Sequence, residues 1–596
     1  MPARYLRFSR LISFALLLFA ASQCPAQVPI EPAHLPKRTT FYVLWRGTPA
    51  AEQRKENALL SLWDDPDFSQ VRFALFKGFD NAEKKKGKEP MTREELAEYA
   101  PLLDNSFIIG YLAKPEAPPV HSATPAKLKP AAFLYSAAQT PGVKPPAAKK
   151  PAAPAEWNGI FFVYDRSGKE ALLSKAVLHM RGAESDIPKL VPVTVAGVSA
   201  LKIERKNGVT YWAETGKYAV SAGELSIFEE ILKRLHEKSP STSLADTEEF
   251  QEAKPLLGNG ILEFFLRIPD AKTLSASAGT SASAAQVKLL LSLLKFDAIH
   301  AVAGHLSLEG AKTRMQGAIL GDATAGTLFD IWSEGQKNPE SLSLVSANTV
   351  YINETQFDLM GIYNLLKRTF GKGQPQMIDS VEKGVETRLG MPLKDALALT
   401  NGEISTLQND PTMDDSKRVY AVNIQNKPGS MKLLRAIFSD QLSAEHSEGD
   451  VTTMKVSSGG GQSNAGVAQF NFYYLAMTPD ILLVSTKNAA LQEVLAQRSA
   501  SAAGVPANIA EVRARFPEKI SGFSYVDFQK VDWAAVKARW SAEAKAAAAK
   551  SGTAATSNPG DFLNGIDPTV FSRHLHSLQG ASWKDAKGIH FDEWIN

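Results

Sequence analysis

A long-range repetition constrains the fold of this chain more than any other feature, because similar elements recur in the same order in residues 38–335 and 343–596. Each stretch opens on an extended apolar segment, 39–45 in the first and 348–352 in the second, whose β-branched and aromatic residues predict a strand. Repeats this long are typical of duplicated domains, since solenoid repeats span roughly 20–50 residues. The sequence therefore predicts an α+β fold built from two diverged copies of one module, each with a mainly antiparallel sheet flanked by helices.

The rest of each copy follows the same plan. Two short strands joined by a tight turn are predicted at residues 211–221 and again at 474–485, and an amphipathic helix follows each pair. Both copies end in a predicted β-hairpin, 300–319 in copy one and 576–594 in copy two. With 596 residues and a hydrophobic share of 44%, the chain is long and apolar enough for two large folded units.

The first 26 residues predict a cleaved secretory signal peptide. Arg4, Arg7 and Arg10 form a basic segment ahead of the apolar run 11–21. That run is too short for a bilayer core, which needs about 20 apolar residues. Cleavage near Ala26 predicts an exported protein, periplasmic or secreted, with no transmembrane segment in the mature chain.

Cys24 offers an alternative, a lipoprotein acylated on that cysteine, although the residues before it fit the acylation pattern poorly. Cys24 is also the only cysteine, so cleavage after it leaves a mature chain without disulfide or thiol chemistry. Cleavage also removes three of the 66 basic residues, which leaves 63 against 63 acidic residues. A balanced charge gives no electrostatic case for nucleic acid as a partner.

Low-complexity inserts distinguish the two copies. Copy one carries a Pro/Lys-rich insert at 114–156, and copy two carries a Gly/Ser insert at 457–466 and an Ala-rich insert at 541–560. The Pro/Lys-rich insert favours extended, solvated polyproline II. Its six lysines against two glutamates make it locally basic, so anionic envelope polymers or lipid headgroups are its expected partners. The alternative is a solvated spacer that binds nothing.

The order of elements also carries a resemblance. In copy one a predicted strand and helix are trailed by Asp65-Pro66-Asp67-Phe68, and in copy two they lead into Leu389-Gly390-Met391-Pro392-Leu393 and then Asn401-Gly402-Glu403. In this order the chain resembles a bacterial family of exported proteins known only as a domain of unknown function. The likeness covers most of the mature chain. It implies an envelope location and a duplicated α+β fold, and it brings no catalytic or ligand residues with it.

Two Ser-x-x-Lys pairs have the spacing by which one helical turn brings a lysine beside a nucleophilic serine. They are Ser292 with Lys295 and Ser380 with Lys383. The Lys-Thr-Gly segment that completes the site of penicillin-recognising enzymes is absent from the sequence. Ordinary helix serines therefore explain both pairs better.

Histidines and carboxylates give no stronger candidate. His574 and His576 are predicted to alternate onto one face of a strand, with His300 at the matching place in copy one, and a zinc site would need three or four converging ligands. Three aspartates at residues 64–67 precede an apolar segment, as helix capping requires. Three more at residues 410–415 lack the spacing of a calcium loop.

The sequence thus predicts no catalytic, cofactor-binding or metal-binding residue. We expect a non-catalytic exported envelope protein that acts as a binding or scaffolding module, because the copies share apolar residues and no polar constellation. One alternative is an exported hydrolase whose site is assembled only in three dimensions. Another is a carrier of lipid or a small ligand between the modules.

The mass of the mature protein tests the predicted cleavage. For the chain expressed with its N-terminal segment in a bacterial host, we expect the intact mass of a protein that begins at Gln27. A diacylglycerol adduct on Cys24 would show the lipoprotein instead.

Overall fold

The computed structural model describes most of the chain from residue 28 onward. The described residues are 28–69, 71–72, 97–113, 159–179, 189–205, 208–236, 242–258, 260–269, 295–324, 326–337, 339–371, 375–443, 445–462, 468–500, 505–551 and 567–596. The predicted signal peptide, the Pro/Lys-rich insert 114–156 and Ser292 lie outside them. No helix in these ranges is long and apolar enough to span a membrane.

Ten strands form the N-terminal half of one antiparallel sheet. They pair in the spatial order β4-β5-β6-β7-β3-β2-β1-β8-β9-β10. Their bounds are β1 Thr39–Trp45, β2 Phe107–Leu112, β3 Ile160–Asp165, β4 Lys189–Val195, β5 Val198–Arg205, β6 Gly208–Thr215, β7 Tyr218–Ala222, β8 Leu262–Arg267, β9 Ile299–Glu309 and β10 Lys312–Gly321.

Ten further strands form the C-terminal half, also antiparallel throughout. Their spatial order is β14-β15-β16-β17-β13-β12-β11-β18-β19-β20. Their bounds are β11 Tyr351–Gln356, β12 Glu403–Gln408, β13 Val419–Asn423, β14 His446–Glu448, β15 Val451–Gln462, β16 Ala468–Met477, β17 Ile481–Ser485, β18 Gly522–Asp527, β19 Ser577–Asp585 and β20 Gly588–Ile595.

The two halves join where β10 pairs with β20. The paired residues run from Thr313 opposite Ile595 to Leu320 opposite Gly588. Arg314 holds the junction with a two-point ion pair, since its Nε lies 3.0 Å and its Nη2 2.7 Å from the two carboxyl oxygens of Asp592. The sheet therefore continues without a break from one half into the other.

Helices complete the α+β fold that the sequence predicts. Their bounds are α1 Ala51–Glu56, α2 Ala58–Asp64, α3 Glu170–His179, α4 Leu225–His236, α5 Glu248–Ala253, α6 Leu359–Gly371, α7 Pro375–Leu389, α8 Leu393–Leu397, α9 Lys427–Phe438, α10 Asn488–Ala500, α11 Ala507–Arg513, α12 Trp533–Ser551 and α13 Thr569–His574. Short 3₁₀ turns join several of them.

The main cores lie where helices pack on the sheet. In the N-terminal half, the apolar stripe of α4 at residues 227–232 forms one buried cluster with Phe161, Val163 and Val220. A second buried cluster, in the C-terminal half, contains Leu491 of α10 and residues of α11. Both stripes have the helical spacing read from the sequence, so burial of apolar surface explains why these helices lie where they do.

The structure corrects the predicted strand at the histidines. His574 is the last residue of α13, and His576 lies in the connection before β19. The amide of Leu575 donates to the carbonyl of Phe571, a helical bond, and the buried Val570 anchors the helix. Two histidines two residues apart have the spacing of side chains on one face of a strand. Local hydrogen bonding and packing nevertheless favour a helix at His574.

Two of the predicted inserts lie partly within the described residues. The Gly/Ser insert 457–466 falls at the end of β15 and in the connection to β16, where residues 463–467 lie outside the described part of the chain. The Ala-rich insert 541–560 continues α12 as far as Ser551. Alanine has the highest helix propensity, which explains this extension.

Gly317, on β10 beside β20, provides a test of the junction. A Cβ atom there would lie 2.4 Å from Cζ of Phe591 and 2.7 Å from the carbonyl oxygen of Ala303. We expect Gly317→Ala to lower the free energy of unfolding by about 1–3 kcal/mol through overpacking. Urea unfolding followed by circular dichroism measures the change.

Gly384→Ala is the matched control. Gly384 lies on the exposed side of α7 with no atom within 4 Å of a built Cβ, so alanine there should stabilise the helix by up to about 1 kcal/mol. Equal effects of the two substitutions would contradict the tight packing of β10 against β20.

Candidate functional site

A shallow, open basic cavity of about 430 Å³ lies where the start of β1 meets the end of β8 in the N-terminal half of the sheet. Its lining consists of Lys37, Arg38, Glu230, Thr242 and Arg267. Three cationic side chains thus face one carboxylate, so the cavity carries a net charge of +2. Such a site attracts anionic groups.

Strand pairing brings these residues together. Lys37 and Arg38 directly precede β1, and Arg267 is the last residue of β8, the antiparallel neighbour of β1. The start of one strand therefore meets the end of the other. Glu230 comes from α4, whose apolar residues belong to the same buried cluster as Tyr42 of β1 and Phe265 of β8.

Arg38 is held in place by two partners. Its Nε and Nη2 atoms lie 3.0 and 2.6 Å from Oε2 of Glu230, and its Nη1 donates to the carbonyl oxygen of Ala113 at 2.6 Å. Lys37 and Arg267, by contrast, have no carboxylate partner within the ranges that the structure describes. Two cationic groups are therefore available to a ligand.

The basic cavity adjoins the origin of the Pro/Lys-rich insert. Ala113, which accepts the bond from Arg38, is the residue immediately before the insert 114–156. The amide of Ala113 also donates to the carbonyl oxygen of Arg38 at 3.1 Å. The chain thus enters its most basic low-complexity segment beside its basic cavity.

A polar cluster separate from the basic cavity joins α2 and the turn after it to α13. Ser61 Oγ lies 2.9 Å from Nδ1 of His574, and Nε2 of the same imidazole lies 2.8 Å from Oδ2 of Asp65. Asp65 also accepts the backbone N–H of Asp67 at 2.8 Å, which confirms the predicted capping role of this aspartate run. Arg573 completes the cluster, with Nη2 2.6 Å from Asp67.

Asp65 is the charged member of this cluster. Burial by itself raises the pKa of Asp65, but the hydrogen bonds from His574 and the Asp67 amide, together with the charge of Arg573, lower that pKa below its ordinary value. Only 12% of its side chain is exposed, against 20% for His574. The imidazole of His574 therefore contacts the ionised carboxylate of Asp65 through Nε2 and the hydroxyl of Ser61 through Nδ1.

Glu354 presents a buried carboxyl group without a partner. It lies on β11 opposite Ser405 of β12, it is 1% exposed, and neither carboxyl oxygen has a hydrogen-bond partner. Burial raises the pKa of Glu354 well above its ordinary value, the charge of Glu403 raises it further, and Arg513 opposes the shift. Burial without a hydrogen-bond donor thus favours the neutral, protonated form of this carboxyl.

The buried carboxylate of the other half differs in its bonding. Glu263 on β8 is also 1% exposed. It accepts hydrogen bonds from the hydroxyl of Tyr42 and the amide of Gly258, both at 2.6 Å, and Arg46 lies 3.4 Å away. Burial of this carboxylate is compensated by donors, whereas burial of Glu354 is not.

The other sequence candidates are not brought together. Ser380 is exposed on α7 and donates to the carbonyl of Gln376 at 2.7 Å, and His300 lies 3.0 Å from Glu252. Asp410 pairs with Lys417, and Asp414 caps a 3₁₀ turn. Within the described ranges, no three His, Cys, Asp or Glu side chains are arranged to hold a metal ion.

A larger cleft of about 950 Å³ lies at the outer end of the C-terminal half. Glu448 and Asp450 of the β14–β15 turn line it together with Asp480, which Arg498 neutralises through two contacts of 2.6 Å. The remaining wall contains apolar side chains, among them Leu495, and polar ones, among them His446 and Gln492. The mixed lining selects no single ligand class.

Comparisons with protein-family models, with curated proteins and with solved structures find no match to this chain. Sequence analysis did not identify Lys37, Arg267 or Ser61 as site residues, because each becomes part of a site only through a neighbour on another strand or helix. The only local pattern was the i to i+4 spacing of Ser61 and Asp65, which places both on one helical face.

The stability of the protein should depend on the proton of Glu354. Because folding raises this pKa, the part of the free energy of unfolding that depends on the proton of Glu354 is fully present below the ordinary glutamate pKa of about 4.3. That part is lost progressively as pH rises toward the raised pKa. The loss amounts to at most about 1.4 kcal/mol per pH unit. Glu354→Gln stays neutral, so we expect it to be more stable than the native chain at neutral pH in urea unfolding.

The pH series supplies the control. Glu448→Gln, at an exposed residue of β14, should keep the pH dependence of the native chain. Parallel stability curves for the native chain and Glu354→Gln, from acid to neutral pH, would show that Glu354 does not titrate in this way.

Proposed function

We propose that this protein is an exported envelope protein that binds anionic groups through Lys37, Arg38 and Arg267. The ligand chemistry is a phosphate or carboxylate carried by an envelope polymer or by a lipid headgroup. The observation that carries the proposal is the basic cavity, in which three cations face one carboxylate. Its position beside the origin of the basic insert extends the same charge along the chain.

Export is part of the proposal, and its support lies in the sequence. The basic segment, the apolar run 11–21 and the small residue at Ala26 have the arrangement of a secretory signal peptide. The absence of cysteine after Cys24 leaves a fold that is held by its core alone. Envelope polymers and lipid headgroups would then be in the same compartment as the binding site.

We also propose that the two halves are diverged copies of one module. The support is the order of pairing: each half arranges its ten described strands in the same spatial order, from an outer hairpin to the strand at the junction. The helix after β7 and the helix after β17 also bury corresponding apolar stripes. After duplication, one copy of the module can acquire a binding site that the other copy lacks.

The basic site belongs to the N-terminal half alone. Arg267 ends β8, and the residue that ends the corresponding strand β18 is Asp527, which pairs with Lys530 at 3.2 Å. Residues 346–350, which precede β11, carry no charge, whereas Lys37 and Arg38 precede β1. The difference between the halves is therefore one of charge at corresponding positions, which supports a binding role for the N-terminal half.

The double variant Lys37→Ala/Arg267→Ala tests the proposal. A basic residue near an anionic surface contributes about 1 kcal/mol, so loss of two charges should weaken binding about thirtyfold. The measurement is sedimentation with vesicles of phosphatidylglycerol and phosphatidylcholine at low salt, with phosphatidylcholine vesicles as the uncharged reference. Binding of soluble polyphosphate, measured in parallel, distinguishes a free phosphate polymer from a lipid surface.

Lys383→Ala/Lys394→Ala is the matched control, because it removes the same charge from exposed positions of α7 and α8 in the C-terminal half. We expect this variant to bind as the native chain does, and we expect added salt to abolish the difference between the variants. Equal binding by the two double variants would place the anionic partner elsewhere on the molecule.

A further inference from the structure

We propose that Ser61, His574 and Asp65 form a nucleophilic site that cleaves carboxylic esters. The proposal is independent of the anion site, since none of these residues lines the basic cavity. It rests on the continuous hydrogen-bond chain from Ser61 Oγ through the imidazole to Asp65, with distances of 2.9 and 2.8 Å.

The strand junction assembles this site. The amide of Ala58, at the start of α2, donates to the carbonyl of Ala311 in the β9–β10 turn, and Thr313 Oγ1 donates to Asn57 at 2.9 Å. Helix α13 leads directly into β19, the neighbour of β20. Because β10 pairs with β20, α2 and α13 come together across more than 500 residues of sequence.

The apolar contacts around the site fix the helices. Leu62 and Phe68, in and after α2, form one buried cluster with Val570 and Leu575 from α13 and the residue after it. The ring of Phe68 also meets that of Phe571 edge to face, with centroids 5.9 Å apart. Such packing fixes the position of the Ser61 side chain relative to the imidazole of His574, as a preorganised site requires.

The charge of Asp65 sets the roles of the two ring nitrogens. An ionised carboxylate 2.8 Å from Nε2 favours the tautomer in which Nε2 carries the proton. Nδ1 then presents its lone pair to the hydroxyl of Ser61, which is the state of a general base. Ser61 has a second acceptor, the carbonyl of Ala58 at 3.0 Å, so its hydroxyl proton is shared at rest.

The reaction balances with these groups and water alone. Ser61 Oγ attacks the ester carbonyl carbon while its proton passes to Nδ1 of His574, and the tetrahedral adduct forms. The bond to the leaving alkoxide breaks as Nδ1 returns the proton to it, which leaves an acyl-serine and an alcohol. Water then attacks the acyl group by the same proton path and releases the acid. Asp65 is a positioning residue, since it acts through His574.

Covalent labelling of the full mature chain with a fluorophosphonate probe tests the site. We expect a single adduct on Ser61, identified by peptide mass spectrometry, and loss of that adduct in Ser61→Ala. Replacement of the base by His574→Gln should slow labelling by about 10²–10⁴-fold. Ser380→Ala, at an exposed helix serine without a histidine partner, should label at the native rate.

Asp65→Asn separates a reactive site from a structural cluster, and it also serves if His574→Gln does not fold. It keeps the shape of the side chain, so we expect the native circular dichroism spectrum with slower labelling and an altered pH profile, because the imidazolium loses its counter-charge. Absence of an adduct on folded Ser61, or labelling that neither Asp65→Asn nor His574→Gln slows, would overturn the proposal and leave a hydrogen-bonded contact between helices.

Discussion

The hydrogen-bonded pairing of β10 with β20 is the interaction on which the rest of the molecule depends. It joins two runs of ten described strands into one sheet, and it fixes how each half is oriented relative to the other. The ion pair between Arg314 and Asp592 lies within this pairing, and Asp592 is only 6% exposed. Removal of either partner would leave the other charge unpaired at the junction, which is costly for the largely buried Asp592. The same pairing brings α2 beside α13, so the Ser61 cluster is a consequence of how the halves meet.

Much of the fold could be predicted from periodicity, and the exceptions have physical causes. The segments that became β1, β6, β7, β16 and β17 are apolar and β-branched, and α4 shows a clear helical stripe. Strands β4, β5, β14 and β15 were not predicted: β4 contains Pro192 and lies half exposed, β14 consists of three exposed residues, and β15 runs into the Gly/Ser insert. Such strands depend on a paired neighbour and carry no apolar pattern of their own.

The sites were less accessible to sequence reasoning than the strands. Lys37 and Arg267 are separated by most of the N-terminal half, and only the pairing of β1 with β8 makes them neighbours. His574 was predicted to lie in a strand, whereas it ends α13 and its ring contacts Ser61 and Asp65. The chain has a balanced overall charge after the first 26 residues, so binding of an anion must come from this local arrangement and cannot be read from composition.

Hydrogen–deuterium exchange in the presence of an anionic partner tests the central claim, an anion site confined to the N-terminal half, most directly. With polyphosphate or phosphatidylglycerol vesicles at low salt, the account predicts slower exchange at residues 35–40 and 262–268, while residues 346–352 and 522–528 exchange as in the free protein. Protection of residues 346–352 or 522–528, or no protection of residues 35–40 when binding is saturated, would contradict an anion site in the N-terminal half.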